Sequence, residues 1–363
     1  MKLIKHLGSD LMSLMDTIER IPVQLKKIAD TKENLKNNLG NILEAHTELK
    51  RIVIVASGTS YNAAFTTKNF AENVNGSLVE VIYPNMFVQY YNHDLLSEEN
   101  LYIFISQGGK TKLVYEALKL VNSKGFRTIS LTETLDAPIA EEADISLEIG
   151  SENEAYIYRT LGYSATCATL YWLYISISKI YSKVSDNEIQ EYVEDYNLMV
   201  DNLFTVKQNT LKWYKENKFQ LMRKSNFIFS GTNDLWPVAQ EADIKFMEML
   251  PIFTNSFELE ELIHGPQNAF DANIGYFILN RTNEDSVKAG NISDFINEEI
   301  STCYLIGDNS KSDFNIDSKS KHFSSLEYIT FFQVLAYLLA TDKGRDLTKG
   351  VYPQVANYIN KSI

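Results

Sequence analysis

Arg51 to Ala56 (RIVIVA) runs into Ser57-Gly58-Thr59-Ser60, and Leu101 to Ile105 (LYIFI) runs into Ser106-Gln107-Gly108-Gly109-Lys110-Thr111; these two junctions decide the reading of the fold. Each begins as a short run of branched aliphatic residues, continues through glycine and hydroxyls, and opens a stretch long enough for a helix, which is the pattern of a buried parallel strand feeding a crossover helix. Working outward, Leu78 to Tyr83 (LVEVIY), Arg127 to Leu131 (RTISL) and Asp144 to Ile149 (DISLEI) read as further strands, with Ala63 to Asn75 and Thr111 to Lys124 as helices between them. This alternation predicts a doubly wound parallel sheet. A helical stretch from Tyr163 to Lys183 follows, and Ser185 with Glu188 has capping-box spacing before another. The alternation then resumes with Asn226 to Ser230, Ile252 to Phe257, Gly275 to Leu279 and Thr302 to Ile306 as strands. Before all this, Leu11, Leu14, Ile18, Leu25, Ile28, Leu35 and Leu39 recur at helical spacing. The expected organisation is α/β: a helical segment over 1–50, one flavodoxin-like parallel-sheet domain over 51–190, and a second over 191–363.

Composition narrows the function. With 34 Lys+Arg against 47 Asp+Glu the net charge is −13, which opposes broad attraction to nucleic acid or anionic lipid. Neither nucleic acid nor membrane is expected as a partner. No signal peptide or apolar run of membrane-spanning length is read, so the cytoplasm is the expected location. Cys167 and Cys303 stand far apart with no second ligand at metal spacing, so they are read as buried small hydrophobes, and no metal or other cofactor is expected.

The two glycine-rich junctions lie at the carboxyl edge of the predicted sheet. Helix amino termini there offer unpaired N–H groups and partial positive charge, and Ser or Thr hydroxyls add donors, so together they form a plausible phosphate cradle. Ordinary turn and cap chemistry would account for either loop alone. A nucleotide P-loop is excluded because Phe104 stands where that motif needs its first glycine, and the dinucleotide fingerprint fails after Gly58. Farther along, Glu241, Lys245 and Glu248 fall at i, i+4 and i+7 on one helical face, and His264 follows within Glu261-Leu262-Ile263-His264-Gly265-Pro266. A carboxylate and an imidazole suit proton transfer beside a sugar carbonyl. On spacing alone, a solvated Glu–Lys pair and an unrelated turn histidine are the preferred reading.

These blocks in this order, Ser57 to Asn62, Ser106 to Thr111, Gly231 to Glu248 and Glu261 to Pro266, resemble the sugar isomerase (SIS) domain family. The likeness is to the isomerase half of glucosamine–fructose-6-phosphate aminotransferase and to stand-alone phosphosugar isomerases and fructosamine-6-phosphate deglycases. The resemblance implies phosphate binding at Ser60, Ser106, Gln107 and Thr111, with Gly58, Thr59 and Gly108 in the same loops. Gly108 replaces the family's usual serine, and Lys110 its usual glutamate. The resemblance further implies that Glu248 shuttles a proton between C1 and C2, that His264 opens the sugar ring from the neighbouring subunit of a homodimer, that Glu241 and Lys245 are site-lining or structural, and that Glu154 and Thr160 belong to the substrate site. Leu161 stands where the synthase has a lysine, the tail Lys349 and Lys361 are only candidates for its C-terminal lysine, and no glutaminase domain or nucleophilic Cys near Met1 is read. The expected activity is therefore isomerisation, deamination or deglycation of a hexose or amino-sugar 6-phosphate through an enediol or enaminol. The alternative implied by the same family is a phosphosugar-sensing regulatory protein without turnover.

Overall fold

The computed structural model describes residues 13–363 apart from 32–34, 36–38, 41, 42, 44–48, 153, 155, 283, 309 and 310. The first helix, α1 (Leu14–Asp30), opens on a capping box in which Ser13 and Asp16 satisfy each other's backbone N–H groups. It buries Leu14, Ile18, Leu25 and Ile28, as their spacing predicts, and Ile21 with them. Leu11 and much of the expected helix beyond α1 lie outside the described residues.

Two five-stranded parallel sheets follow. The first half runs β1 (Arg51–Val55), α2 (Thr59–Asn75), β2 (Leu78–Ile82), α3 (Pro84–Gln89), β3 (Asn100–Ile105), α4 (Lys112–Ser123), β4 (Thr128–Thr132), α5 (Pro138–Glu142) and β5 (Ile145–Glu148). Two long helices, α6 (Leu161–Ile180) and α7 (Asp186–Arg223), lead to the second half. That half runs β6 (Asn226–Gly231), α8 (Leu235–Met249), β7 (Thr254–Glu258), β8 (Ile274–Leu279), α9 (Ser286–Glu299), β9 (Cys303–Gly307), β10 (Phe314–Asn315) and α10 (Ser325–Asp342). The strand orders are β2-β1-β3-β4-β5 and β7-β6-β8-β9-β10, so one winding is used twice. In both, the chain reverses direction across the sheet between its first and third strands. The crevice outside their carboxyl ends is the place where such sheets bind ligands.

Side chains sort by the two-residue period of the strands. Ile52, Ile54, Leu101, Ile103 and Ile105 face a central core, whereas Val53, Val55, Tyr102 and Phe104 face an outer layer beneath α4. Phe227, Phe229 and Phe277 enter the same central core from the second sheet, so one apolar interior joins the two halves. Between the sheets lie α6 and α10, buried almost all round. An all-round apolar helix has no stripe; the sequence analysis names the stretch of α6 but no helix at α10. The strand bounds differ from the sequence reading by one or two residues, and the two-residue β10 is too short to leave a pattern. Cys167 and Cys303 are buried free thiols, as read. Among the described residues, no helix is long and apolar enough to cross a membrane.

Candidate active site

The β1–α2 loop turns on Gly58, at φ +58 and ψ −136, a conformation that glycine reaches without strain. No side chain caps α2, and its first internal backbone bond runs from Asn62 N–H to the Gly58 carbonyl at 3.0 Å. The amides of Thr59, Ser60 and Tyr61 precede that bond and have no helical acceptor, which suits them to an anion. The β3–α4 loop lies beside it, because β1 and β3 pair with Val55 opposite Phe104. There the Ser106 and Thr111 hydroxyls bond each other at 2.8 Å, and Thr111, the N-cap of α4, makes no side-chain cap bond. Gly109 is required twice over: its φ is +63, and a Cβ would sit 2.2 Å from Ala137 Cβ. Gly108 and Lys110 are exposed on this loop.

Behind it, the Gln107 amide donates toward Glu133 at 3.3 Å and Glu154 at 3.4 Å. Glu154 is buried and accepts from the backbone N–H groups of Thr160, Leu161 and Gly162 and from the Thr160 hydroxyl. Both residues therefore support the start of α6 and, through Gln107, the loop.

Helix α8 crosses this crevice because it packs on α2. Its Glu241 and Lys245 are fully buried, so the solvated-pair reading fails. The Glu241 carboxylate accepts from the Asn62 amide at 2.8 Å and the Thr59 hydroxyl at 3.1 Å. The Lys245 ammonium lies 3.5 Å from Glu241 and 2.6 Å from Glu248. A polar chain thus runs from the first loop through Glu241 and Lys245 to Glu248, whose side chain remains 39% exposed at the far end. Burial pushes the Glu241 carboxyl up to about 7 against the attraction of Lys245 and the donation from Asn62. Burial opposes the Lys245 charge too, but Glu241 and Glu248 outweigh it and hold the ammonium above its ordinary pKa.

This shift predicts a pH dependence. The folded chain holds a proton on Glu241 that the unfolded chain has released by about pH 5, so Glu241 stabilises less as pH rises toward 7 and beyond. Lys245 stays charged throughout that window. Urea unfolding at pH 5 and pH 8 should show the wild type losing up to about 3 kcal/mol more than Glu241→Gln. Parallel losses in the two proteins would remove Glu241 as the cause.

The remaining candidates lie apart. His264 stands on the exposed loop after β7 with Nε2 2.9 Å from Glu260, and it does not line the cleft to which Glu248 contributes. Lys349 pairs with Asp346, and its carbonyl accepts from the Tyr158 hydroxyl. The tail reaches the β3–α4 loop with backbone rather than side chain: Lys112 N–H donates to the Lys361 carbonyl, and Ile363 N–H to that of Lys110, both at 3.0 Å. No sequence signal pointed to this pairing. The Tyr61–Tyr83 stack beside the first loop, with centroids 4.1 Å apart, was also missed.

The equivalent crevice of the second sheet differs. After β8, the Arg281 guanidinium grips both oxygens of Asp234 at 2.8 and 3.0 Å and donates to Ser324. The protein's own ion pair occupies the position that the first half leaves to hydroxyls and open amides.

The SIS domain profile matches residues 47–177, which contain the whole first sheet and both loops. The chain carries an SIS domain over these residues. It is 23% identical over 347 residues to the glutamine–fructose-6-phosphate aminotransferase [isomerizing] of Streptococcus agalactiae, covering 93% of this chain and 56% of that one. The chain therefore spans little more than half the length of the curated relatives it matches. Among solved structures, a candidate phosphosugar isomerase from Clostridium difficile 630 superposes with a TM-score of 0.88 at 24% identity, over 97% of this chain and 99% of that one. The C-terminal domain of glucosamine-fructose-6-phosphate aminotransferase from Francisella tularensis gives 0.81 at 19% identity, over 93% and 98%. These similarities extend the double-SIS fold to the second sheet.

Proposed function

We propose that this SIS-domain chain is a phosphosugar isomerase-type enzyme that opens a hexose or amino-sugar 6-phosphate and moves a proton between C1 and C2. The phosphate docks on the amides of the Gly58–Ser60 turn and the hydroxyls of Ser106 and Thr111. Glu248 takes the proton from one carbon and returns it to the other, with Lys245 fixing the carboxylate. His264 acts at the ring oxygen from the partner subunit of a homodimer, in keeping with its place outside the Glu248 cleft of its own chain. The observation that carries the reading is the buried Thr59/Asn62–Glu241–Lys245–Glu248 chain, which fixes a solvent-reaching carboxylate of the second half against the anion-ready loop of the first. The relatives whose names include fructose 6-phosphate conversion fit this chemistry.

The test is turnover of fructose 6-phosphate, glucosamine 6-phosphate and fructosamine 6-phosphates by the purified protein, followed by glucose 6-phosphate formation and release of amine or ammonia. Deuterium from solvent should enter C1 or C2 of the product. No turnover in any class, with binding retained, would instead make the chain a sensor. A hydrogen bond from a hydroxyl to a phosphate oxygen contributes about 1.5–3 kcal/mol. Ser106→Ala and Thr111→Val should therefore each raise the KM about tenfold with little change in kcat. A KM unaffected by either substitution would move the phosphate elsewhere.

A further inference from the structure

The winding that sets Thr59 beside Ser106 is used twice, so the second sheet has a switch point of its own, outside the carboxyl ends of β6 and β8. The Arg281–Asp234 pair does not fill it. A pocket of about 120 Å³ remains there and is lined by both halves: Asn69 and Asn73 come from α2, and Asn233, Arg281 and Lys321 from loops of the second half. The backbone amides that stand open in the first crevice are engaged in this one, since Leu235 and Trp236 N–H both donate to the Thr232 carbonyl. Side chains take their place. Asn69 and Asn73 lie one turn apart on α2, and neither their amides nor that of Asn233 bonds a described residue. Arg281 gives three of its five N–H groups to Asp234 and Ser324. The exposed Lys321 ammonium makes no ion pair with a described residue.

The loop that carries Lys321 is held in place. Asp195 of α7 accepts from the N–H groups of Lys321 and His322, both at 2.8 Å, and from the Ser320 hydroxyl at 3.0 Å. Among the described lining residues Asp234 is the only carboxylate, and Arg281 covers both its oxygens. With His322 counted as neutral, the lining therefore carries one positive charge in excess, on a chain of net charge −13. Donors without acceptors, arranged around a pocket on ordered backbone, suit a ligand that brings several acceptor oxygens and negative charge.

We propose that this pocket is a second oxyanion site, separate from the crevice of the first sheet, that takes a phosphate group on Arg281, Lys321 and the amides of Asn69 and Asn73. It is too small to enclose a hexose. The ligand is thus inorganic phosphate, or the phosphoryl end of a sugar phosphate whose remainder lies in solvent past the exposed Asn73 and Lys321. Bound there, it bridges α2 of the first half to two loops of the second and stabilises the join between them. The site needs neither turnover nor the role given to Glu248.

The experiment follows thermal unfolding of the full chain with inorganic phosphate and with glucose 6-phosphate, against sodium chloride at matched ionic strength. It uses the Ser106→Ala/Thr111→Val protein, in which the hydroxyls of the first crevice are gone. In that background phosphate should still raise the midpoint saturably, and Lys321→Glu or Asn73→Asp should each weaken the apparent Kd at least about tenfold. Both positions are exposed, so neither substitution disturbs the core. A response to phosphate alone assigns the free anion. Responses to both ligands, equally sensitive to Lys321→Glu, assign the phosphoryl end of a sugar phosphate. General salting-out by phosphate would persist in every variant. A midpoint that rises equally with and without Lys321→Glu and Asn73→Asp, or no response to either ligand in the background protein, would overturn the proposal while leaving the assignment of Glu248 untouched.

Discussion

Glu248→Gln should lower kcat on the phosphosugar substrate about 10³-fold while leaving its Kd within about threefold. The amide keeps the size of the carboxylate and can still accept from Lys245 at the end of α8, so the polar chain back to Thr59 and Asn62 persists. What it loses is the capacity to take a proton from carbon, and general acid–base groups contribute about 10²–10⁴ in rate. Because the proposed phosphate site lies in the other half of the molecule, binding should survive; a loss confined to kcat is the signature of an interaction made only in the transition state. The side chain is 39% exposed, so thermal stability should shift little. The measurements are steady-state kinetics and calorimetric binding on one preparation. A variant that kept most of its kcat, or that lost binding and turnover together, would reassign Glu248 to structure.

Gly109→Ala should be the most damaging single-methyl change in the β3–α4 loop, the proposed phosphate site. The residue lies at φ +63, and the added Cβ would meet Ala137 Cβ at 2.2 Å and the Thr132 hydroxyl at 2.9 Å, contacts that short side chains and backbone cannot yield without moving. Strain of this kind and forced overpacking each cost about 1–3 kcal/mol, so a loss of about 2–4 kcal/mol is expected together with weakened phosphosugar binding. Gly108 next to it has ordinary φ and open space around its Cβ position, so Gly108→Ala should change stability by less than about 0.5 kcal/mol. Denaturant midpoints of the two variants compare them directly. Equal midpoints would contradict the loop geometry.

The sequence reading and the structure agree where local physics is decisive. RIVIVA and LYIFI became β1 and β3 because alternate residues on each face meet apolar layers, and Ser185 with Glu188 formed the predicted capping box before α7. Helix α10 escaped because burial on all sides erases the stripe that spacing detects. The site divides in the same way. Glu241, Lys245 and Glu248 were legible as one face of a helix, but not their burial, since that depends on α8 packing against α2 from the other half. The spacing also could not pair Thr59 with Glu241 across 182 residues, nor show the tail at 361–363 adding itself to the β3–α4 loop. Each of these contacts is set by topology and carries no local pattern. Glu154 and Thr160, grouped with the site by resemblance, are engaged in satisfying the amino terminus of α6, a role that no local sequence pattern reveals.

The account's central claim is that one sugar phosphate is gripped by the first half and worked on by the second. A crystal structure with an unreactive open-chain hexose 6-phosphate analogue tests it most directly. The expected result is a phosphate within hydrogen-bond distance of Ser106, Thr111 and the Gly58–Ser60 amides, with C1 and C2 within about 3.5 Å of a Glu248 oxygen in the same molecule. A phosphate bound outside those loops, or a Glu248 carboxylate out of reach of both carbons, would contradict it.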